Sequence, residues 1–568
     1  MVAIIIQDFG GRLPRRAARL IPDNFAQIAE NVKLIYGDLR GYNDFTLMNE
    51  FPTGTLPKRV WKVKNTAQTA EAWYGSTDPY AELIKSPIVN DSFDRYYLFQ
   101  KSQPPKVLTF SDIEANAPAQ PLAFTQPITP AVLTPVGGTG SIYSTRVYTY
   151  TYVTEWGEES RIAPVTAVEG RTDLTSITVT IIPGPPPPTI SGRSIQFIRI
   201  YRTVTGTQGG QLYYVDDVPY VASGITYSDT NADLVVALNE PLNASDHDPP
   251  PTGIWGARIM SNGSIVAFKD RDIYFSIPYL PHAWPEDWRL TVPDLIVGLE
   301  VSGQNIMVMT QGSPVLLYGT YPDVMGMLKY SFPEPCIAYG SIVAAPEGVY
   351  YAAYSGLVLF TSTGTNNITN QMISRDMWKT EYLDFDTRAE RMDTRYIASK
   401  TDSKGYVIDG QEERIALVDL VGWVTIGDIS SDGFTGDTLA ISFDAVYAFD
   451  NPEGIEIDYR WKSKQFVMAK PVNMGALMLH LEERETEWLP STILNPAYDY
   501  PPDINKRTQM LVRVWADERL VFEQAVSDRE QCRLPSDFMA TVWEIEVQGQ
   551  CRVERIGLAE TGRELAQI

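Results

Sequence analysis

The sequence predicts a mainly β protein: a β-propeller, an inserted immunoglobulin/fibronectin III-like sandwich, and a β-rich platform domain from the chain termini. Three observations lead there. Strand–turn–strand units recur with starts roughly 35 to 55 residues apart, close to the period of four-stranded propeller blades. A separate alternating module interrupts the series. Forty glycines, forty prolines and thirty-one tyrosines among 568 residues favour turns and strands, and long helical heptads are absent.

The first sixty residues mix short helical and extended signals. Within "FGGRLPRRAARL", Arg12, Arg15, Arg16 and Arg19 fall at i, i+3, i+4 and i+7, the spacing of one helical face. Pro14 limits any helix there to about two turns. A phosphate cradle is one reading and a solvated face a second. The favoured one is a basic arm docking on an acidic neighbour. "NVKLIYGDLRGY" then reads as a strand entering a hairpin at Gly37-Asp38.

Hairpin units begin at Arg59 and Arg95 and resume at Ser264, Asn305, Ser341, Arg395 and Thr438. Each pairs two apolar runs around a polar turn. Between the two series, "YSTRVYTYTYVTEWGEES", "SITVTII", "SIQFIRIYRTV" and "QLYYVDDV" are short strands of a sandwich. "PGPPPP" (Pro183 to Pro188) must be a loop, because proline gives the ladder no donor. The expected segments are 1–58, an N-terminal platform segment; 59–136, the first blades; 137–248, the insertion; 249–460, the remaining blades; and 461–568, a C-terminal β platform domain.

The formal net charge is −23, which argues against a sequence-reading nucleic-acid binder and leaves open a passage that repels phosphates. Between Thr401 and Arg460, thirteen acidic residues face three Lys or Arg. Asp402, Glu412 and Glu413 are the candidates to line such a passage; a solvated face is the plainer reading of the run. The three cysteines form no disulfide framework or metal knuckle and read as buried thiols. The N-terminus shows no secretory signal, and no apolar run is long enough to span a membrane.

Catalytic signatures are missing: no HExxH, Walker A loop, GxSxG elbow or GxGxxG after a strand. Of three histidines, His247 sits between Asp246 and Asp248, where a metal reading competes with a polar linker. In "DTNADLVVALNE", Asp229, Asn231, Asp233 and Glu240 occupy positions 1, 3, 5 and 12 of an EF-hand loop. Leu234 stands where the loop needs glycine, so a polar edge after a strand is the favoured reading. "AWPEDW" (Ala283 to Trp288) could stack on sugars or fill a turn. No cofactor is expected.

Four stretches carry a resemblance to a known family. They are "FGGRLPRRAARLIPDNFAQIAENVKLIYGDLRG"; the insert's "YTYTYVTEWGEES", "IRIYRT" and "YSDT"; "YLPHAWPEDWRLTVPDLIVGLE" with "NIMVMTQGSPVLLYGTYPDVM"; and "RWKSKQFVMAKPVNMGAL" with "VWEIEVQGQCRVERIGLAE". In order and spacing they resemble the tail nozzle proteins (tail tubular protein B-like, or stabilisation, proteins) of short-tailed bacteriophages. The resemblance implies a non-enzymatic virion protein, synthesised in the host bacterial cytoplasm. It implies a homo-oligomer, a hexameric tube below the tail adaptor, that conducts double-stranded DNA on ejection and offers attachment to fibres or spikes. It also implies a propeller combined with platform segments from both chain ends. The alternative is a receptor-binding or polysaccharide-degrading tailspike, although the chain lacks the short regular coils of a β-helix.

Overall fold

A computed structural model of the protein describes residues 3–34, 37–123, 125–183, 193–205, 210–330, 333–400, 404–409, 416–422, 427–482 and 508–565. Within them, six small antiparallel sheets and one end of a larger sheet follow one another as the seven blades of a propeller. Blade 1 is the hairpin Arg59–Lys64 and Glu71–Ser76. Blade 2 runs from Glu82–Lys85 to Gln120–Pro121, and blade 3 from Trp255–Ile259 to Arg289–Thr291. Blade 4 runs from Ile296–Ser302 to Gly326–Lys329, and blade 5 from Val343–Ala345 to Gly364–Asn367. Blade 6 runs from Arg388–Met392 to Ala416–Val421. Blades 2 to 6 each have four strands in simple sequence order, the up-and-down pattern that short hairpin turns impose. Asp270 and Asp393 at the turns take φ 57° and 55°, a left-handed conformation that Asp tolerates better than most residues.

Blade 7 closes the ring. It takes Asp428–Ser431, Thr438–Ser442 and Ala445–Phe449 from one part of the chain and Thr46–Glu50 from near its start. Apolar clusters between consecutive blades confirm the circle. Val60 of blade 1 packs with Leu439, Ile441 and Val446 of blade 7, and Val63 with Leu83 and Leu98 of blade 2. Further on, Tyr97 and Phe99 meet Ile265 and Ala267, and Met307 and Met309 meet Tyr351 and Phe360. This closure moves an expected boundary. The segment 1–58 is divided, because Thr46–Glu50 belongs to the propeller and not to the platform.

The platform uses both chain ends. Ala3–Ile6 pairs with Arg552–Ala559, which pairs with Ala476–Glu482. Ala26–Glu30 is inserted between the last strand of blade 6 and Tyr459–Ser463. Ala540–Gly549, Gln509–Ala516 and Arg519–Ser527 extend this into a ten-stranded sheet. Blade 6 and the platform therefore share backbone hydrogen bonds as well as one core, around Trp461, Trp543 and Tyr459. The expected change from blades to platform at 460 falls inside Tyr459–Ser463, a platform strand.

The insertion is a two-sheet sandwich. One sheet has Ser176–Ile181 between Val132–Val136 and Ile225–Asp229; the other orders Thr166–Arg171, Tyr143–Thr154, Ile195–Thr203 and Leu212–Pro219. Strict alternation in "SITVTI" buries Ile177, Val179 and Ile181 against Tyr148, Tyr150, Tyr152 and Ile198. Joining the first, fourth and seventh strands is not the immunoglobulin order, in which the second strand lies beside the first. Apart from Pro183, the proline run lies outside the described residues.

Candidate functional site: the ionic axis of the propeller

The inner strands of six blades each bring a charged side chain toward the propeller axis. Arg59 comes from blade 1, Glu82 from blade 2, Arg258 from blade 3, Glu300 from blade 4, Glu390 from blade 6 and Asp428 from blade 7. Alternation along a strand sends every second residue to the same face, so one such residue per blade is enough to line the axis. Arg59 lies 3.3 Å from Asp428 and 3.7 Å from Glu82; Arg258 lies 3.4 Å from Glu82 and 2.7 Å from Glu300. Tyr339, just ahead of blade 5, donates its hydroxyl to Glu82 at 2.5 Å.

Three carboxylates, Glu82, Glu300 and Asp428, thus pair with two guanidiniums, and Glu390 stands next to this arc. Burial pushes Glu82 up, but Arg258 and Arg59 outweigh it and hold the carboxyl below its usual range. The other end of the arc is different. Burial pushes Glu390 up to about 7 against a weaker pull from Arg59, with Asp428 and Glu300 adding repulsion. Burial likewise raises Asp428 to about 6, opposed by Arg59 and Arg388. The axis is thus lined by an arc of paired charges in which burial raises two carboxyls, Glu390 and Asp428.

A second ionic cluster anchors the insert to the propeller. Buried Arg193 pairs with Glu158 at 2.7 Å and donates to the carbonyls of Leu122, at 2.5 Å, and Pro121. Arg95 pairs with Asp91 at 2.8 Å and approaches Glu158 at 3.8 Å. The ring of Trp156 lies 5.5 Å from both guanidiniums. His247 and His282 both reach the carbonyl of Glu159, at 2.9 and 3.2 Å. Burial, His247 and Arg193 push His282 down to about 4 against the pull of Glu158. The metal reading of His247 gives way to this contact with the Glu159 carbonyl.

The EF-hand candidates are spent on arginines. Asp229 accepts from the Tyr148 hydroxyl at 2.6 Å and pairs with buried Arg202 at 2.7 Å. Asp233 pairs with Arg202 at 2.6 Å and Arg146 at 3.2 Å. The Asn231 carbonyl also accepts from Arg202, and Glu240 is exposed. Two guanidiniums occupy the ground a cation would need. Titrating the protein with calcium should therefore release no binding heat at this loop, and Asp229→Ala should leave the trace unchanged.

The basic face is also revised. Arg12 to Leu20 is an extended stretch and turn ending in the short 3-10 helix Ala18–Leu20. The Arg12 amide donates to the Leu417 carbonyl at 2.8 Å and its guanidinium to Asp419 at 2.7 Å. Arg15 binds Asn370 through its side-chain and backbone oxygens. Those two are internal ties to blades 6 and 5; Arg16 and Arg19 remain exposed. Asp402, Glu412 and Glu413 lie outside the described residues. In "AWPEDW", Trp284 is buried beside Phe99 and donates to the Pro281 carbonyl, so it fills the turn and offers no sugar platform. Cys336, Cys532 and Cys551 are buried thiols. No described helix is long and apolar enough to cross a membrane.

No protein-family model matches the sequence, and no curated protein matches it. Among solved structures, the chain is similar to BamB from Moraxella catarrhalis, at 10% identity over 73% of this chain and 100% of that one, with a TM-score of 0.32. It is also similar to U3-55K, at 9% identity over 65% of this chain and 94% of that one, with a TM-score of 0.28. The Pan2 WD40 domain of Neurospora crassa gives 9% identity over 50% and 87%, with a TM-score of 0.26. Likeness this remote assigns neither partner nor activity; the propeller rests on its own sheet order and ring closure.

Proposed function

We propose that the protein is a non-enzymatic structural component of a phage tail, a homo-oligomeric nozzle through which the genome leaves the virion. The observation that carries this reading is the joint architecture: a closed propeller welded to a platform built from both chain ends, with a sandwich inserted between blades. A propeller with a platform from both chain ends is what the sequence resemblance implies. In this reading the propellers act as rigid spacers and the DNA passage lies between copies. The net charge of −23 suits a wall past which DNA slides without being held.

Two exposed features supply assembly contacts. Arg16, Arg19 and Leu20 project from the N-terminal turn. The outer strand of blade 4 presents Met327 and Leu328 beside Tyr318, Tyr321 and Val324, an apolar edge of the kind that neighbours cover. Replacing Arg16 and Arg19 with Glu should abolish rings at low salt while leaving the melting temperature of the chain unchanged. Light scattering of the purified protein, alone and with the tail adaptor, checks this. Rings of normal mass with the double variant would remove the basic-arm contact, and electron microscopy of the virion tests the nozzle reading itself.

A further inference from the structure

A shallow, open concavity of about 550 Å³ lies on blade 2, separate from the charged side chains of the axis. Its walls are Asp78 to Tyr80, from the connection into blade 2, and Gln100 to Gln103 with Lys106, from the turn between that blade's second and third strands. The Lys101 ammonium lies 4.5 Å from the centre of the Tyr80 ring and 5.0 Å from that of Trp255. Tyr80 continues inward to Tyr339, 5.8 Å away, whose hydroxyl reaches Glu82 on the axis. The cavity therefore sits beside the axis at one face of the propeller.

Its charge is opposite to that of the chain. Lys101 and Lys106 face a single lining carboxylate, Asp78, which accepts from the Tyr80 amide. Lys269 flanks the rim and donates only to the Thr252 carbonyl. None of the three lysines forms an ion pair among the described residues. Aromatic rings hold Lys101 in place without neutralising it. Ser102 and Gln103 add amide and hydroxyl groups that both donate and accept, as adjacent sugar hydroxyls do, while Gln100 accepts from Lys106 and donates to Ser76, each at 3.4 Å. The size falls within the range of small-ligand sites.

The geometry points to a binding site for an acidic saccharide, its carboxylate on Lys101 and Lys106 and its hydroxyls on Ser102 and Gln103. A bare anion would leave the amide carbonyl acceptors unused, and a neutral sugar would leave the lysine charges uncompensated.

Calorimetry on the full chain with tri-galacturonate, a neutral glucose trisaccharide, inorganic phosphate and a short DNA duplex tests the site. Tri-galacturonate should bind, and Lys101→Ala should weaken it by about tenfold or more, with Lys101→Arg restoring most of the loss. Gln103→Ala should weaken the saccharide while leaving any phosphate heat unchanged. The substituted side chains are on the surface, so each variant should melt like the parent. No heat with tri-galacturonate, equal heat from the neutral trisaccharide, undiminished binding by Lys101→Ala, or tighter binding of the duplex would each overturn the proposal.

Discussion

Replacing Arg193 with Met is expected to destabilise the protein by about 3–5 kcal/mol and to release the insert from the propeller. The guanidinium is wholly buried and satisfies three acceptors: Glu158 and the carbonyls of Leu122 and Pro121. Methionine fills similar volume but donates nothing. Glu158 would then remain buried with Arg95 as its nearest cation, at 3.8 Å, and two carbonyls would lose a donor. Because those carbonyls lie at the end of blade 2, the loss falls on the joint and not on either domain's core. Limited proteolysis should cut the linkers around 122–131 and 243–253 first, at a lower temperature than in the parent. The paired change Arg193→Met with Glu158→Gln should recover part of the loss, since no unpaired charge is left. A shift below about 1 kcal/mol for the single variant would show that the joint is held by packing alone.

The propeller was legible in the sequence for a local reason. Each blade repeats apolar alternation around a turn, and alternation needs no distant partner to be read. What could not be read was closure. Thr46–Glu50 looks like any short strand, and its partner, Ala445–Phe449, lies some 400 residues away. Ala26–Glu30 was equally silent about joining Ala416–Val421 in parallel with Tyr459–Ser463 on its other side.

The site residues failed or held for similar reasons. Arginines at i, i+3, i+4 and i+7 describe a helical face only if the backbone is helical. Here Arg12 and Leu13 hydrogen-bond to Leu417 and Ala26, so the segment is pulled into extended pairing before one turn can form. The acidic spacing from Asp229 to Glu240 was real, but Arg146 and Arg202 come from the strands Tyr143–Thr154 and Ile195–Thr203 and decide what those acids do. The axial arc carried no sequence signal at all. Its six charges stand one to a blade among ordinary strand residues, and only the circular arrangement brings them together. The arc is thus a product of closure, whereas the buried cysteines followed from composition.

The axial arc predicts an unusual pH dependence. Glu390 holds its proton up to about pH 7 in the folded chain, whereas an exposed glutamate releases it near 4.5. Between those values the folded state binds more protons than the unfolded state, so stability falls as pH rises from 4.5 to 7 and stays low above it. Asp428 acts in the same sense between 3.8 and about 6. His282 opposes both: its folded value of about 4 lies below 6.5, so its contribution is intact above 6.5 and is lost as pH falls toward 4. Glu390→Gln removes one term and keeps the shape of the side chain. The variant should be more stable than the parent by about 2 kcal/mol at pH 8, after discounting for residual water access to the axis. That advantage should vanish near pH 4, where parent Glu390 is already neutral. Thermal melts of both proteins across this range provide the measurement. An advantage that is constant with pH would mean that packing, and not an ionised carboxylate, strains the axis. A loss of stability at pH 8 would mean that Glu390 is ionised and paired, and that the arc from Glu390 to Glu300 is a closed ring of charges with no carboxyl to spare.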